Sequence, residues 1–439
     1  MADPLSPQMM RPDYGRPEFG LDRNHRWIDS AMVAVVFASI LFNLTIGPLT
    51  VLLVAGMVGA FVLLRWERLP GVLQDCWPLL LIPLFAMLSA LWSDVPLTTL
   101  RYGLLYLITC IAGILIGAGL RRDAYVNGYF IAFATYSIAA VLFGRMVAWG
   151  DGAGDAFAGL AGSKNTAGDM AGVATMATLV FAAYMYSKHR RVLAITALGL
   201  LPLLAGILWF SRATGALIAS VMAATFVVMW IASRAFPRQA RGGVFIGVSA
   251  VTIIAVLTQQ WWLGPVFDLV LEASGKDAGL TGRAELWKFG NRLIEEKPGL
   301  GLGYYAFWLQ DSLDAQYLWN MMGIASRQGF NFHSTPMEIL IHLGWAGLIF
   351  CLLIFLASSA SLIWRSIDKP YFSSILACGL LAFFAVKMPF EVVGFSPMHF
   401  STVTLFAILA MGLRRDRWMQ QSGAVRPRSW RLKHKRSSG

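Results

Sequence analysis

Phe330-Asn331-Phe332-His333-Ser334-Thr335-Pro336-Met337-Glu338, followed by the apolar run from Ile339 to Phe355, is the stretch that decides the fold. Within a few residues a polar loop gives way to a helix built for lipid. Thr335 reads as the N-cap, Pro336 fits the first helical position and Glu338 completes a capping box. The run behind them is long and apolar enough to enter a bilayer. His333 is thereby held at a membrane surface, where a polar loop meets the first turn of a hydrophobic helix.

The rest of the chain shares this character. Of 439 residues, 57% are hydrophobic and only 14% charged, too apolar for a large soluble protein. Twelve runs near membrane length can be marked, at about 28–44, 47–64, 76–92, 100–119, 124–147, 165–187, 191–209, 212–233, 243–261, 335–363, 371–389 and 397–413. The expected fold is an all-α polytopic membrane protein with about twelve transmembrane helices.

Lys and Arg near span ends favour the cytoplasmic side, and here they fall unevenly. An inner N-terminus places 25 of the 36 on inner segments, among them Arg65, Arg68, Arg121, Arg122, Arg365, Lys369 and nine from Arg414 to Arg436. The chain then divides into a cytoplasmic tail (1–27), nine spans (28–261), a periplasmic loop (262–334), three spans (335–414) and a basic cytoplasmic tail (415–439). Both tails have the composition of disordered segments, and the polar first 27 residues lead into an ordinary span with no sign of a cleavable signal peptide. The net charge of +12 sits on the inner rim and tail, which suits the lipid bilayer as partner and sets nucleic acid aside. Cys76, Cys110, Cys351 and Cys378 lie in apolar runs at unrelated spacings, which suggests neither a disulfide framework nor a metal site.

Only one connection is long, from about Trp262 to Phe332, and long loops in compact proteins usually carry function. Inside it, residues 286, 289, 293 and 294 recur at helical spacing, with Pro298 as a stop. This is either an amphipathic helix on the outer surface or a lid over the bundle. The glycines of Lys297-Pro298-Gly299-Leu300-Gly301-Leu302-Gly303 lack the strand and helix of a phosphate-binding loop and read as a tight turn. They feed Tyr304, Tyr305, Phe307 and Trp308, suited to anchoring at the interface or to stacking on sugar rings.

Four polar helix starts fall on the outer side by this topology: Lys164 with Asn165, Arg212, Arg283 and His333 with Ser334. Each helix N-terminus offers unpaired N–H groups, and each arginine adds a planar fork for two phosphate oxygens. Several together suggest a diphosphate. The loop holds eight acidic residues against six basic ones, so an anion would be gripped by particular side chains and not by a general cationic patch. Lys387, Glu391 and His399 are further polar residues near the later spans, with Lys387 read as snorkelling outward.

At these positions the chain resembles the O-antigen ligase and polymerase superfamily, most closely its exopolysaccharide-production polymerase branch. The similarity rests on Gly162-Ser163-Lys164-Asn165, Ser211-Arg212, Leu280-Thr281-Gly282-Arg283 with Glu285-Leu286-Trp287, Pro298 to Gly303 with Phe307-Trp308, and His333 followed by Glu338-Ile339-Leu340 and Gly344. Where the family usually has His-Asn, this chain has His333-Ser334. The resemblance implies a glycosyltransferase of the C-type fold that needs no metal or other cofactor and takes glycan from an undecaprenyl diphosphate-linked donor to a glycan acceptor outside the inner membrane. It implies His333 as proton acceptor, Arg212 and Arg283 at the diphosphate, and Lys164, Asn165 and Ser334 as substrate contacts. Polysaccharide export machinery is the implied protein partner. A ligase acting on lipid A core is the nearest rival, and a flippase or transporter the rival from another class; mid-membrane polar residues and a repeat between halves, which a transporter would carry, are not evident in the sequence.

Overall fold

The computed structural model describes residues 26–148, 154–257, 281–324, 327 and 330–415. Both tails as far as residues 25 and 416, and the first part of the long loop with Asp268, Glu272, Asp277 and Leu280, lie outside the described residues. The first five apolar runs become α1 (Arg26–Leu41), α3 (Leu49–Leu64), α4 (Leu69–Leu88), α5 (Pro96–Ile114) and α6 (Arg122–Phe143), with a single turn α2 (Asn43–Ile46) between the first two. A two-stranded antiparallel hairpin follows, β1 (Arg145–Ala148) and β2 (Asp155–Gly159), whose first strand takes up the end of the apolar run at 124–147. Then come α7 (Lys164–Ser187), the pair α8 (Arg191–Leu198) and α9 (Leu201–Phe210), α10 (Thr214–Ser233) and α11 (Arg238–Leu257). The long loop contributes α12 (Thr281–Glu296) and α13 (Leu313–Met321), and the chain returns through α14 (Thr335–Asp368), α15 (Phe372–Lys387) and α16 (Phe400–Leu413).

The chain is a multi-pass membrane protein. Each apolar run overlies a helix or, at 191–209, a helix pair; among the described residues seven helical segments are long and apolar enough to cross a membrane by length and composition. Four more apolar helices have 10–17 residues. Small residues let the central helices approach closely. Gly113 and Gly117, one helical turn apart, face α16, and a Cβ on Gly113 would stand 2.6 Å from the Val403 carbonyl oxygen, while one on Gly117 would meet that of Ala407. Such close backbone contact supplies the dispersion energy that drives helix association where lipid is as apolar as the side chains. Around this seam α1 packs on α6, and α10 packs on α7 and α15.

Helix α14 is broken at Gly344, which has φ 64° and ψ −169°. The glycine-rich loop fills the break. Leu302 and Gly303 donate to the carbonyls of Ile341 and His342 at 2.9 Å each, and Trp345 and Ala346 donate back to Pro298 and Gly299 at 2.9 and 3.2 Å. Backbone groups freed by the break thus find partners at once, the condition for an interrupted helix in a membrane protein. The tight turn read from the sequence thus also serves as a backbone clasp.

Candidate active site

The clasp leaves Thr335–Leu343 as a short, separately held helix whose start carries His333. Sequence reading placed the N-cap at Thr335, but the structure places it one residue earlier, at Ser334, whose buried side chain makes no capping bond. The Thr335 hydroxyl is engaged elsewhere: it donates to the Glu391 carbonyl and accepts from the Val393 N–H, each at 2.8 Å. Its own N–H donates to the Met388 carbonyl at 2.9 Å. Nor does Glu338 close a capping box; its carboxylate accepts from the Phe332 N–H at 3.0 Å. Both changes have one physical cause, since the connection between α15 and α16 folds back over this helix start and takes the Thr335 hydroxyl.

That connection carries Glu391. Its Oε2 lies 3.0 Å from His333 Nδ1, and its Oε1 accepts from Arg283 at 2.9 Å and from the Asn165 amide at 3.1 Å. Arg283 also donates to the Phe390 carbonyl at 2.8 Å. Three of the residues singled out in the sequence, Asn165, Arg283 and His333, therefore converge on one carboxylate. Beside them Lys387 does not snorkel: it is 5% exposed and its ammonium sits 2.8 Å from Asp169. Lys164 begins α7 one residue before Asn165, with Ser163 as a true N-cap accepting from Thr166. Arg212 is exposed in the link before α10, at the same end of the bundle: a Cβ on Gly215, three residues on, would lie 3.7 Å from the Lys387 ammonium.

His333 is about one-fifth exposed and has φ 51°; Arg212 also has φ 51°. Left-handed backbone at non-glycine residues costs on the order of 1–3 kcal/mol and persists where surrounding contacts impose it. At His333 those contacts are visible. Its N–H donates to Asn331 Oδ1 at 2.8 Å, Phe330 meets its ring edge to face at 5.4 Å, and the neighbouring Phe332 is fully buried with its carbonyl accepting from Trp287 Nε1 at 2.8 Å. Phe332 belongs to a second small core with Leu286, Leu293, Phe307, Leu318, Trp319 and Ile341, so the periodic face of α12 is buried against the start of α14.

Burial pushes the Glu391 carboxyl up, but the hydrogen bond and charge of His333, with Lys387 and Arg283 behind them, outweigh it and hold the group down at about 2. An ionised carboxylate only accepts, so Nδ1 is the protonated nitrogen at this contact, and in the neutral form of the ring it is Nε2 that carries a lone pair to receive a proton. His399, by contrast, has a structural part: burial lowers it to about 4, and its neutral ring caps α16 by accepting from the Ser401 N–H. Because Glu391 is depressed from its ordinary 4.5, the stability it lends is complete above about pH 4.5 and is lost as pH falls towards 2. Unfolding of the wild type in detergent should therefore ease between pH 4.5 and 3, and Glu391→Gln should remove that slope; an unchanged slope in the variant would place the titration elsewhere.

Two comparisons bear on this arrangement. Residues 156–352 match the O-antigen ligase family model. The motif resemblance is thus borne out over the stretch that holds Lys164, Asn165, Arg212, Arg283, His333 and Ser334. Over 384 residues the chain is also 27% identical to the exopolysaccharide production protein ExoQ of Rhizobium meliloti (strain 1021), covering 86% of this chain and 85% of that one. Glu391 and Lys387 fall beyond the O-antigen ligase match, and the sequence, which marks both as polar residues near the later spans, gives neither a part in the site.

Proposed function

We propose that this chain is an inner-membrane polysaccharide polymerase, lengthening a glycan by moving repeat units from undecaprenyl diphosphate to an acceptor hydroxyl on the periplasmic side. The observation that carries the reading is the 3.0 Å contact between His333 Nδ1 and an ionised Glu391, which directs Nε2 of the neutral ring to the task of proton acceptor. In the proposed step the acceptor O–H gives its proton to Nε2 and its oxygen attacks the anomeric carbon from the face opposite the diphosphate. The carbon–oxygen bond to phosphate breaks, the configuration inverts and undecaprenyl diphosphate departs. Arg212 and the outer edge of Arg283 meet its negative charge, a duty that a divalent cation performs in many nucleotide-sugar enzymes. Lys164, Asn165 and Ser334 stand beside this point as donor or acceptor contacts, Asn165 also fixing Glu391.

Likeness to an exopolysaccharide production protein over most of both chains favours the polymerase, whereas the O-antigen ligase match favours transfer to lipid A core as the second reading. Purified protein in lipid, given undecaprenyl diphosphate repeat units and excess chelator, separates them. Long chains support the polymerase, product only on adding lipid A core supports the ligase, and movement of donor across the bilayer without new glycosidic bonds would point to a flippase. Arg212→Ala and Arg283→Ala should each cost roughly 10²–10³-fold in rate, the usual loss on removing a donor from a developing anion. Full activity of both variants would remove the diphosphate site from the mechanism.

A further inference from the structure

A second polar site lies at the far end of the bundle from His333. There α14 ends at Asp368, α15 begins at Phe372, α16 ends at Leu413, and the Leu120–Arg122 connection closes the space between them. The cavity they enclose has a volume of about 250 Å³. Among the described residues six cations line it, Arg121, Arg122, Arg365, Lys369, Arg414 and Arg415, with Asp368 as the one lining acid. Among the described residues, three carboxylates stand near them. Asp123 lies 3.1 Å from Arg121 Nε, Asp75 lies 3.8 Å from Arg415 Nε, and Asp368 is shared with Arg238 at 3.4 Å. The cations outnumber these three acids two to one.

Several of the cations are fixed in place. Arg414 donates to the Leu120 carbonyl at 2.9 Å, Arg365 donates to the Arg414 carbonyl, and Arg122 lies over the Tyr371 ring with 3.9 Å to its centroid. Fixed guanidinium forks match the paired oxygens of a phosphate, and less ordering entropy is lost when they bind one. Ile116, Leu120 and Leu362 give the same cavity an apolar side. Its volume is below the roughly 300–1,000 Å³ that encloses a whole drug-sized ligand, so it suits a compact anion whose tail, if any, stays outside.

We propose that this cavity binds a phosphate-bearing anion, either the headgroup of an anionic phospholipid or free phosphate. Basic pockets between transmembrane helices are recurrent sites for anionic headgroups, and nothing in this assignment depends on the glycan reaction. The test uses the full-length protein in detergent. Native mass spectrometry counts phosphatidylglycerol retained against phosphatidylcholine, and calorimetry measures inorganic phosphate alone. Lys369→Gln, at an exposed position, should weaken binding about fivefold, and Arg121→Gln with Lys369→Gln roughly 30-fold. Arg190→Gln with Arg191→Gln, exposed at the same end of the bundle but outside the cavity, should leave it unchanged. Loss of lipid retention in the cavity variants alone identifies the headgroup, and loss of a phosphate signal in them alone identifies the free anion. Equal weakening by the Arg190 and Arg191 substitutions, or no binding of either probe by the wild type, would overturn the proposal; thermal unfolding of each variant confirms that it is folded.

Discussion

His333→Ala is expected to lower the rate of glycan transfer by about 10²–10⁴-fold while the protein still folds and inserts, the range typical for loss of a positioned general base. Folding should survive because the imidazole is partly exposed and the loop around it is held by other groups, with Phe332 buried and bonded through both its N–H and its carbonyl. Alanine also removes the only ring nitrogen bonded to Glu391 Oε2 among the described residues, yet Arg283 and Asn165 still bind Oε1 and keep the carboxylate satisfied. Chain length on gels, from protein of verified insertion, reads the outcome. Activity within tenfold of the wild type would mean that the attacking hydroxyl gives its proton to some other group.

Gly301→Ala should be the most damaging substitution in the long loop. A Cβ there would stand 2.6 Å from the His342 carbonyl carbon and 2.7 Å from both the Gly344 nitrogen and the Ile341 oxygen, all backbone atoms with no room to yield. The residue also has φ +69°, which penalises any side chain. Strain and overpacking together predict a loss of about 2–4 kcal/mol, and activity should fall with it because the His333 helix is seated on this clasp. Gly299→Ala is the matched control, since a Cβ there would meet nothing within 4 Å. Thermal unfolding in detergent compares the two directly. Equal midpoints would show that the loop does not grip the helix break.

Most of the architecture is legible in the sequence, because apolar runs of near-membrane length leave few alternatives. The site was half legible. Asn165, Arg283 and His333 stood out as polar residues at helix starts, and the structure draws all three onto one carboxylate. Glu391 is visible in the sequence as a polar residue near the later spans but is not tied to the site, because it lies 58 residues after His333, between two apolar helices, with no spacing that links them. The available signal was topological: a carboxylate in Pro389-Phe390-Glu391-Val392-Val393 on the same side of the bundle as the histidine. Lys387 was misjudged for a similar reason. A lysine at the end of an apolar run ordinarily reaches for water, and its partner Asp169 lies on a helix more than 200 residues earlier. The N-cap was misplaced by one residue because hydroxyl chemistry fits Ser334 and Thr335 alike; the contact with the Glu391 segment decides between them.

The break at Gly344 has a mechanical consequence. Since Thr335–Leu343 is not continuous with the remainder of α14, it is a short lever held at both ends by the long loop: by Trp287 through Phe332 at the His333 tip, and by Leu302 and Gly303 at the pivot. A shift of that loop would carry the imidazole along without bending any rod that crosses the bilayer.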